Sequence, residues 1–575
     1  MGKSLNMGGI VASVAYHAGS GRPGLTCAGG ASVISIVPTQ RNLLVLLAFA
    51  SMDLRYLGGR RRCRILLSMN TTPWEHRAIS RYSTKSWYPI QASVGFLALL
   101  AILALAGCGG STSSPNPGPP PPPGTASSIT KDGITWTFSQ PVPVGQFVTG
   151  EYYVVGPVTI TAIDPAPTTS SPYLNGSVLN LPTKNSKSGF DSRLNDGTDQ
   201  SWWFDASLRS YPPITLRPGD ALVSSISLVQ IHSLPEVMRA SDMSASPVRT
   251  VSVLTVVAAT PSADAFRPSY CDRSQTIYHA DSLQRNLLPS LAPPNPSSTP
   301  ALSQFETWYR RPWIDTNPFL FDAPAEYMPS YGQHVAFADS YASLLLTLNF
   351  PADQKVALTN YFVQYGIDLY GCLQAGVGWP AFGGHRSGRK LPIVFAGILL
   401  NDNGMKNVST FYPNQFGEDM QTVYVDRIPG GYQQAWQGAT VIYGGHYGVN
   451  ADGTPVSPGL YGPYEQLQPV DWPLINGNEQ LGEAYRRCCT SVSWVGEALT
   501  IHLLHAENVW NYPAFFDYVD RWMTEDDTEA VADIKAQTGF DYSQNWERQG
   551  QTKYWLQGEF PQYSFIDDMW AAYRH

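Results

Sequence analysis

One loop in the second half of the chain combines side chains that bind anions with a side chain that can move a proton. It spans residues 378–392 and opens with Trp379, which is available to stack on a sugar face. Its charged and titratable side chains, bracketed by glycines, are His385, Arg386, Arg389 and Lys390. Pro392 suits the first turn of a helix, where free N–H groups attract an anion. The loop is predicted to bind a carboxylate or a sulfate; the alternative is a solvated basic loop.

Two further loops place histidine and tyrosine beside glycine. One contains His446 and Tyr447 after two glycines, and the other contains Tyr331 and His334 around Gly332. Abstraction of a proton next to a carboxylate requires a neutralised charge and a base, usually His, Tyr or Lys. We therefore predict β-elimination, in which a cation of the first loop neutralises the substrate and a histidine or tyrosine acts as base or acid. Each loop taken alone is equally well explained by packing.

Hydrolysis by two carboxyl groups is the competing chemistry. Glu418 or Asp419 would supply one member of the pair, and Glu497 or Asp339 the other. Adjacent carboxylates rarely both point into one cleft, and such a pair often contains a helix cap or an ion-pair partner. We keep hydrolysis as the alternative reaction.

Three more side chains are candidates for substrate binding. Tyr424 follows the acidic pair, and Arg486 and Trp494 lie within the helix predicted over residues 480–504. They would place a guanidinium and aromatic rings beside the cleft. For Arg486 and Trp494, a packed helix entry is at least as good an interpretation.

Helical periodicity is the main pattern in the part of the chain that carries these residues. Helices are predicted over residues 333–349, from 351 onward, and over 389–401, 480–504 and 514–523. The short connections predict antiparallel helix hairpins. We assign residues 304–575 to one all-α domain.

Short β-branched and aromatic runs precede the helices. They cover residues 134–138, 152–155, 158–163, 221–228 and 250–257 and are separated by Pro, Gly, Asn and Asp clusters. This pattern predicts a β-sandwich or jelly-roll-like domain over 129–260, and proline-rich residues 261–303 connect it to the helices. The fold class is therefore multidomain α+β.

The apolar run at residues 94–105 has the length of a signal-peptide core and is short for a membrane span. It ends in Leu105-Ala106-Gly107-Cys108, which resembles the lipobox of bacterial lipoproteins and implies a lipid on Cys108. We assign residues 69–108 to the signal and 109–128 to a Pro/Gly/Ser-rich linker. Residues 1–68 fit a mis-assigned leader. The expected location is outside the cytoplasm, anchored to a bacterial membrane.

An exported domain of helix hairpins with Gly-, Tyr- and His-rich loops, joined to a β domain, resembles the (α/α)-toroid enzymes that act on polysaccharides. The resemblance is architectural and loosely covers the chain after Cys108. It implies a lyase that cleaves an acidic, uronate-containing glycan. A non-catalytic glycan-binding surface lipoprotein is the alternative from another functional class.

Composition narrows the choice of partners and cofactors. A formal net charge of -8 argues against a nucleic-acid partner, because such binding depends on clustered Lys and Arg. The cysteines have no zinc-type spacing, so no metal site is predicted. The only cofactor kept open is calcium, from Asp196 and Asp199. How the cysteines pair is left open.

Overall fold

A computed structural model describes residues 124–183, 187–194, 203–230, 246–316, 324–329, 331–473, 481–539, 541 and 562–575, and two short strands near the N-terminus. The chain divides into the units Met1–Gly109 and Gly110–His575. In the first unit, β1 (Ser4–Met7) pairs antiparallel with β2 (Ile10–Ser13). The predicted signal, Cys108 and the calcium candidates Asp196 and Asp199 lie outside the described residues.

The second unit begins with eight strands that form one mixed sheet. They are β3 (Gly124–Lys131), β4 (Ile134–Gln146), β5 (Tyr152–Val155), β6 (Val158–Asp164), β7 (Ser177–Leu179), β8 (Ile214–Leu216), β9 (Ala221–Ser227) and β10 (Val248–Val257). The order is β7-β9-β10-β5-β4-β6-β8, and β3 also pairs with β4. Among the pairs formed by these described strands, only β10–β5 is parallel.

The long strand β4 curls this sheet into a half-barrel. Its register shifts against β6 between Thr137 and Phe138, and β3 shifts against it between Ala126 and Ser128. Such irregularities bend a strand and increase its twist. One strand can therefore pair with β3, β5 and β6 along its length.

Strand β10 is buried on both faces, which explains its continuous apolar run. Leu254 and Val256 face the core enclosed by the curl, whereas Val251 and Val253 join the core of the helices. The strands therefore lie in one sheet packed on helices, and not in the two facing sheets of the predicted sandwich. Alternating apolar residues fit either partner, so the pattern did not distinguish them.

Most of the regular structure described after the sheet is helical. They are α1 (Leu302–Tyr309), α2 (Gly332–Leu346), α3 (Ala352–Gln374), α4 (Lys390–Leu400), α5 (Asn403–Lys406), α6 (Val408–Phe411), α7 (Gly417–Met420), α8 (Leu481–Tyr485), α9 (Ser491–Leu503), α10 (Glu507–Trp510), α11 (Pro513–Thr524), α12 (Thr528–Thr538) and α13 (Phe565–Tyr573). Strands β11 (Thr422–Tyr424) and β12 (Val441–Tyr443) form a small antiparallel ladder. The described part of the chain is thus α+β.

Helix α2 is at the centre of the helical region, and each of its residues is buried. It packs against α9, while α3 packs against α1 and α4. Between α2 and α9 the hydroxyls of Ser343 and Thr500 lie 2.8 Å apart, so these two buried polar groups satisfy each other. A helix that is buried on all sides occupies a core position.

The connecting segment 261–303 ties the sheet to the helices. Arg267 is fully buried and its Nε lies 3.0 Å from Glu151 Oε1 on the sheet side. The same guanidinium pairs with Asp368 on α3. The segment is therefore a packed structural bridge.

The predicted helices match the observed helices closely. One predicted helix and one predicted domain boundary need correction. A π-helix, Arg486–Thr490, interrupts the stretch predicted as one helix over 480–504. Strand β3 begins at Gly124, inside the stretch assigned to the linker 109–128.

Candidate functional site

The three loops singled out in the sequence converge at one place. We call the group the His/Tyr cluster. Its members are Tyr331, His334, Phe382, His385, His446, Tyr447, Tyr461 and Tyr485. The ring centroid of His385 lies 5.0 Å from that of Tyr331, and the centroid of Phe382 lies 5.2 Å from His385 and 5.3 Å from His446. Phe382 thus joins the two histidine loops.

Aromatic rings surround His446. Its ring centroid lies 4.7 Å from Tyr447, 5.8 Å from Tyr461 and 4.3 Å from Tyr485, each in an edge-to-face arrangement. Tyr461 and Tyr485 were not among the predicted site residues. Tyr461 has the same signal as the predicted loops, because it stands between Gly459 and Gly462.

Glycine is required where the loops meet. A Cβ on Gly332 would overlap the carbonyl of His385, and a Cβ on Gly384 would overlap the carbonyl of Cys489. These close backbone approaches leave no room for a side chain. The glycines next to the candidate residues therefore allow three separate loops to pack at one point.

Gln421 holds the two histidine loops together. Its Nε2 donates to the carbonyls of Gly383 at 3.2 Å, Gly445 at 3.3 Å and His446 at 3.1 Å. The backbone N–H of Gly383 also donates to the His446 carbonyl at 2.8 Å. Gln421 is fully buried, so these carbonyls are satisfied without water. Sequence reasoning did not identify this role.

Both central histidines are held in the neutral form. Burial, followed by the charges of His446, Arg386 and Arg389, lowers the pKa of His385 to about 4. Burial likewise lowers the pKa of His446 to about 4. The Nδ1 atoms of both rings have no hydrogen-bond partner among the described residues. A neutral imidazole can accept a proton on its unprotonated ring nitrogen.

Part of the cluster is open to solvent. Phe382, His385, Tyr447, Tyr461 and Tyr485 are partly exposed, whereas Tyr331, His334 and His446 are buried behind them. Partly exposed aromatic rings can stack on the apolar face of a sugar. A ligand at this surface would therefore meet aromatic rings first and His385 next.

Arg386 is the predicted cation that lies at this surface. It is partly exposed, and its Cζ lies 5.6 Å from the centroid of the Phe382 ring. Its Nη1 donates to the Pro380 carbonyl at 3.3 Å. The Arg386 guanidinium is thus held at the partly exposed face of the cluster, next to Phe382 and His385.

The other two predicted cations lie in internal ion pairs. Arg389 Nε lies 2.7 Å from Asp315 Oδ2, and Lys390 Nζ lies 2.6 Å from Asp419 Oδ1. The N–H of Gly388, at the start of α4, donates to Glu418 Oε1 at 2.5 Å. The anion expected at this helix terminus is thus supplied by the protein's own acidic side chains, which corrects the prediction for Arg389 and Lys390.

The carboxyl groups considered for hydrolysis are buried. Glu418, Asp339 and Glu497 are each fully buried, and Asp419 is 8% exposed. Burial raises the pKa of Glu418 to about 7 and the pKa values of Asp339 and Glu497 well above their usual range. They form part of the protein interior and are not exposed to solvent.

The remaining predicted binding residues also lie away from the cluster surface. Trp379 and Trp494 are buried, and Trp494 Nε1 donates to Ser387 Oγ at 3.3 Å. Arg486 is fully buried and pairs with Glu465, Glu483 and Glu525. Tyr424 donates to Asp517 at 2.6 Å. These contacts stabilise the surrounding helices.

Cys488 and Cys489 form a disulfide between adjacent residues, while Cys271 and Cys372 are buried free thiols. Within the described ranges, no group of three His, Cys, Asp or Glu side chains is arranged to hold a metal ion. No helix in that same part of the chain is long and apolar enough to cross a membrane.

Comparisons with protein-family models, with curated proteins and with solved structures give no match to this chain.

Proposed function

We propose that this protein is an exported, lipid-anchored enzyme that cleaves an acidic, uronate-containing polysaccharide by β-elimination at the His/Tyr cluster. The observation that carries the proposal is the convergence of His385, His446 and several tyrosines beside Arg386. These are the groups that the reaction needs: a base, an acid and a cation that pairs with the substrate carboxylate.

Each group has a defined task. Arg386 pairs with the uronate carboxylate and so makes the adjacent C–H more acidic. His385, neutral at physiological pH and partly exposed, removes that proton. A tyrosine hydroxyl, for which Tyr447 is the candidate, protonates the departing glycosidic oxygen as its C–O bond breaks and a C=C bond forms.

We further propose that the helices belong to an (α/α)-toroid-like arrangement, with the sheet buttressing one side. Helices packed in pairs support this: α3 packs against the next helix, α4, and α2 packs against α9 from later in the chain. The site then lies in loops at one end of the helices. Such loops are free to vary around a rigid scaffold.

The proposed location rests on the lipobox-like Leu105-Ala106-Gly107-Cys108. A lipid on Cys108 would attach the body to a membrane through the proline-rich segment that follows. Metabolic labelling with a radioactive fatty acid tests this, and Cys108→Ser is the matched variant. Labelling that persists in the variant contradicts the proposed anchor.

Non-catalytic glycan binding is the second candidate, favoured by the partly exposed rings of Phe382, Tyr447, Tyr461 and Tyr485. Those rings alone would hold a sugar chain. Hydrolysis is less well supported because Glu418 and Asp419 are buried and engaged.

One assay separates these functions. The purified protein is incubated with a panel of acidic polysaccharides, and the ultraviolet absorbance of unsaturated uronate products is followed. His385→Gln is compared with His279→Gln, which alters an exposed histidine outside the cluster. A signal lost only in His385→Gln supports elimination. New reducing ends without absorbance indicate hydrolysis, and binding without either indicates a glycan-binding protein.

A further inference from the structure

The Cys488–Cys489 disulfide lies against the His/Tyr cluster. Both cysteines are partly exposed, in contrast to the buried thiols Cys271 and Cys372. The bridge lies within the π-helix Arg486–Thr490, between α8 and α9. Single-turn π-helical segments frequently occur at functional sites. Of the four cysteines that the structure describes, the bridged pair is therefore the one that a small reagent reaches most readily.

Two contacts connect the bridged pair to the loops of the cluster. The backbone of Gly384 packs directly against the carbonyl of Cys489, and the side-chain amide of Gln333 donates to the carbonyl of Cys488. Gly384 precedes His385, and Gln333 precedes His334. The position of the bridged backbone thus constrains two of the three loops.

The same segment also constrains His446. Tyr485 ends α8 directly before the π-helix, and its ring centroid lies 4.3 Å from that of His446. The Tyr485 ring also lies beside Gly383. A change in the backbone of residues 486–490 would therefore reach both histidine loops, one through Tyr485 and one through Gly384.

We propose that the Cys488–Cys489 disulfide is a redox-sensitive wall of the His/Tyr cluster: a small dithiol opens the bridge and loosens the packing around His385 and His446. A thiolate of the dithiol attacks one sulfur, and its second thiol completes the exchange. The protein gains two thiols with their two protons, and the dithiol becomes the disulfide. The opened pair loses its ring constraint, and the segment gains conformational freedom.

This inference rests on the proposed function only for the identity of the ligand that binds at the cluster. Its test therefore measures the reactivity of the cluster histidines and not the cleavage of a polysaccharide. The intact protein, untreated or treated with dithiothreitol, reacts with diethyl pyrocarbonate after removal of the dithiol and blocking of the thiols with iodoacetamide. Mass spectrometry follows modification of His385 and His446, with exposed His279 as internal reference. We expect a several-fold faster modification of the two cluster histidines after reduction and no change at His279.

Variants assign the effect to the bridge. Cys488→Ser/Cys489→Ser is expected to behave as the reduced protein without dithiothreitol, and Cys372→Ser is expected to keep the wild-type response. Equal rates before and after reduction, with alkylation of Cys488 and Cys489 demonstrated, overturn the proposal. The dithiothreitol comparison requires no substitution, so it remains decisive if the double variant does not fold.

The outcome is distinguishable from failure of the proposed enzyme activity. Faster histidine modification without cleavage of any polysaccharide leaves the redox-sensitive wall in place and rejects the lyase. Cleavage that is insensitive to dithiothreitol, together with unchanged rates of histidine modification, contradicts the redox-sensitive wall and supports the lyase.

Discussion

Replacing His446 by glutamine is expected to remove a defined part of the protein's acid sensitivity. His446 is 5% exposed, and its burial lowers its pKa from 6.5 to about 4. In the unfolded chain the imidazole titrates at its ordinary value, so the unfolded state takes up the proton first on acidification. This contribution to stability is therefore full above pH ~6.5 and falls as the pH drops toward ~4.

The size of the effect follows from the two pKa values. A difference of about 2.5 pKa units corresponds to about 3 kcal/mol, at ~1.4 kcal/mol for each unit. About 2 kcal/mol of it is lost between about pH 7 and about pH 5, where only the unfolded state is protonated. His446→Gln has no titrating group here and lacks this loss.

Urea unfolding at the two pH values measures the difference directly. The free energy of unfolding of His446→Gln should fall by about 2 kcal/mol less than that of the wild type on acidification. An identical drop for His446→Gln and wild type would refute the assignment of a neutral, buried imidazole.

Three further changes probe the surroundings of the cluster. Lys390→Met leaves Asp419 buried without its cation and should cost about 3–5 kcal/mol of unfolding free energy in urea; Lys390→Met/Asp419→Leu should recover most of it, and a stable single variant would contradict the ion pair. Gly384→Ala has no room beside the Cys489 carbonyl, so lower thermal stability together with loss of polysaccharide cleavage is expected, whereas wild-type behaviour would disprove the close contact. Gln421→Leu removes a donor shared by three carbonyls and should cost about 1–3 kcal/mol; hydrogen exchange should accelerate in residues 443–448, and unchanged protection there would argue against the cross-link.

Local sequence patterns were sufficient to predict the helices and strands and to select the three loops. Apolar residues located α2, α3, α4 and α11, because α3 and α11 each bury a helical face and α2 and α4 are buried almost entirely. The glycines beside His385, His446 and Tyr331 marked backbone that must approach other backbone closely. That signal is local, and it selected three loops that meet.

The partner of each charged side chain was decided by tertiary structure. Arg389 and Lys390 looked available in the sequence, yet Asp315 and Asp419 neutralise them from distant parts of the chain. The tertiary structure also buries Glu418 against the N–H of Gly388, next to the start of α4, and leaves Arg386 partly exposed. Pairing across the chain leaves no periodic trace, so composition and spacing could not distinguish these cations.

The tertiary structure also decided what packs against the second face of the sheet. The residues of β10 alternate between two buried faces. The apolar sequence of this strand predicts that both faces are buried, but it does not predict which elements cover them. Likewise, nothing near Gln421 in the sequence identifies the carbonyls of Gly383 and His446 that it binds. The sequence by itself determined the helices, the strands and the chemical groups of the loops, because these depend on neighbouring residues. Only the tertiary structure decided which of those groups meet, because that depends on contacts between residues distant in the sequence.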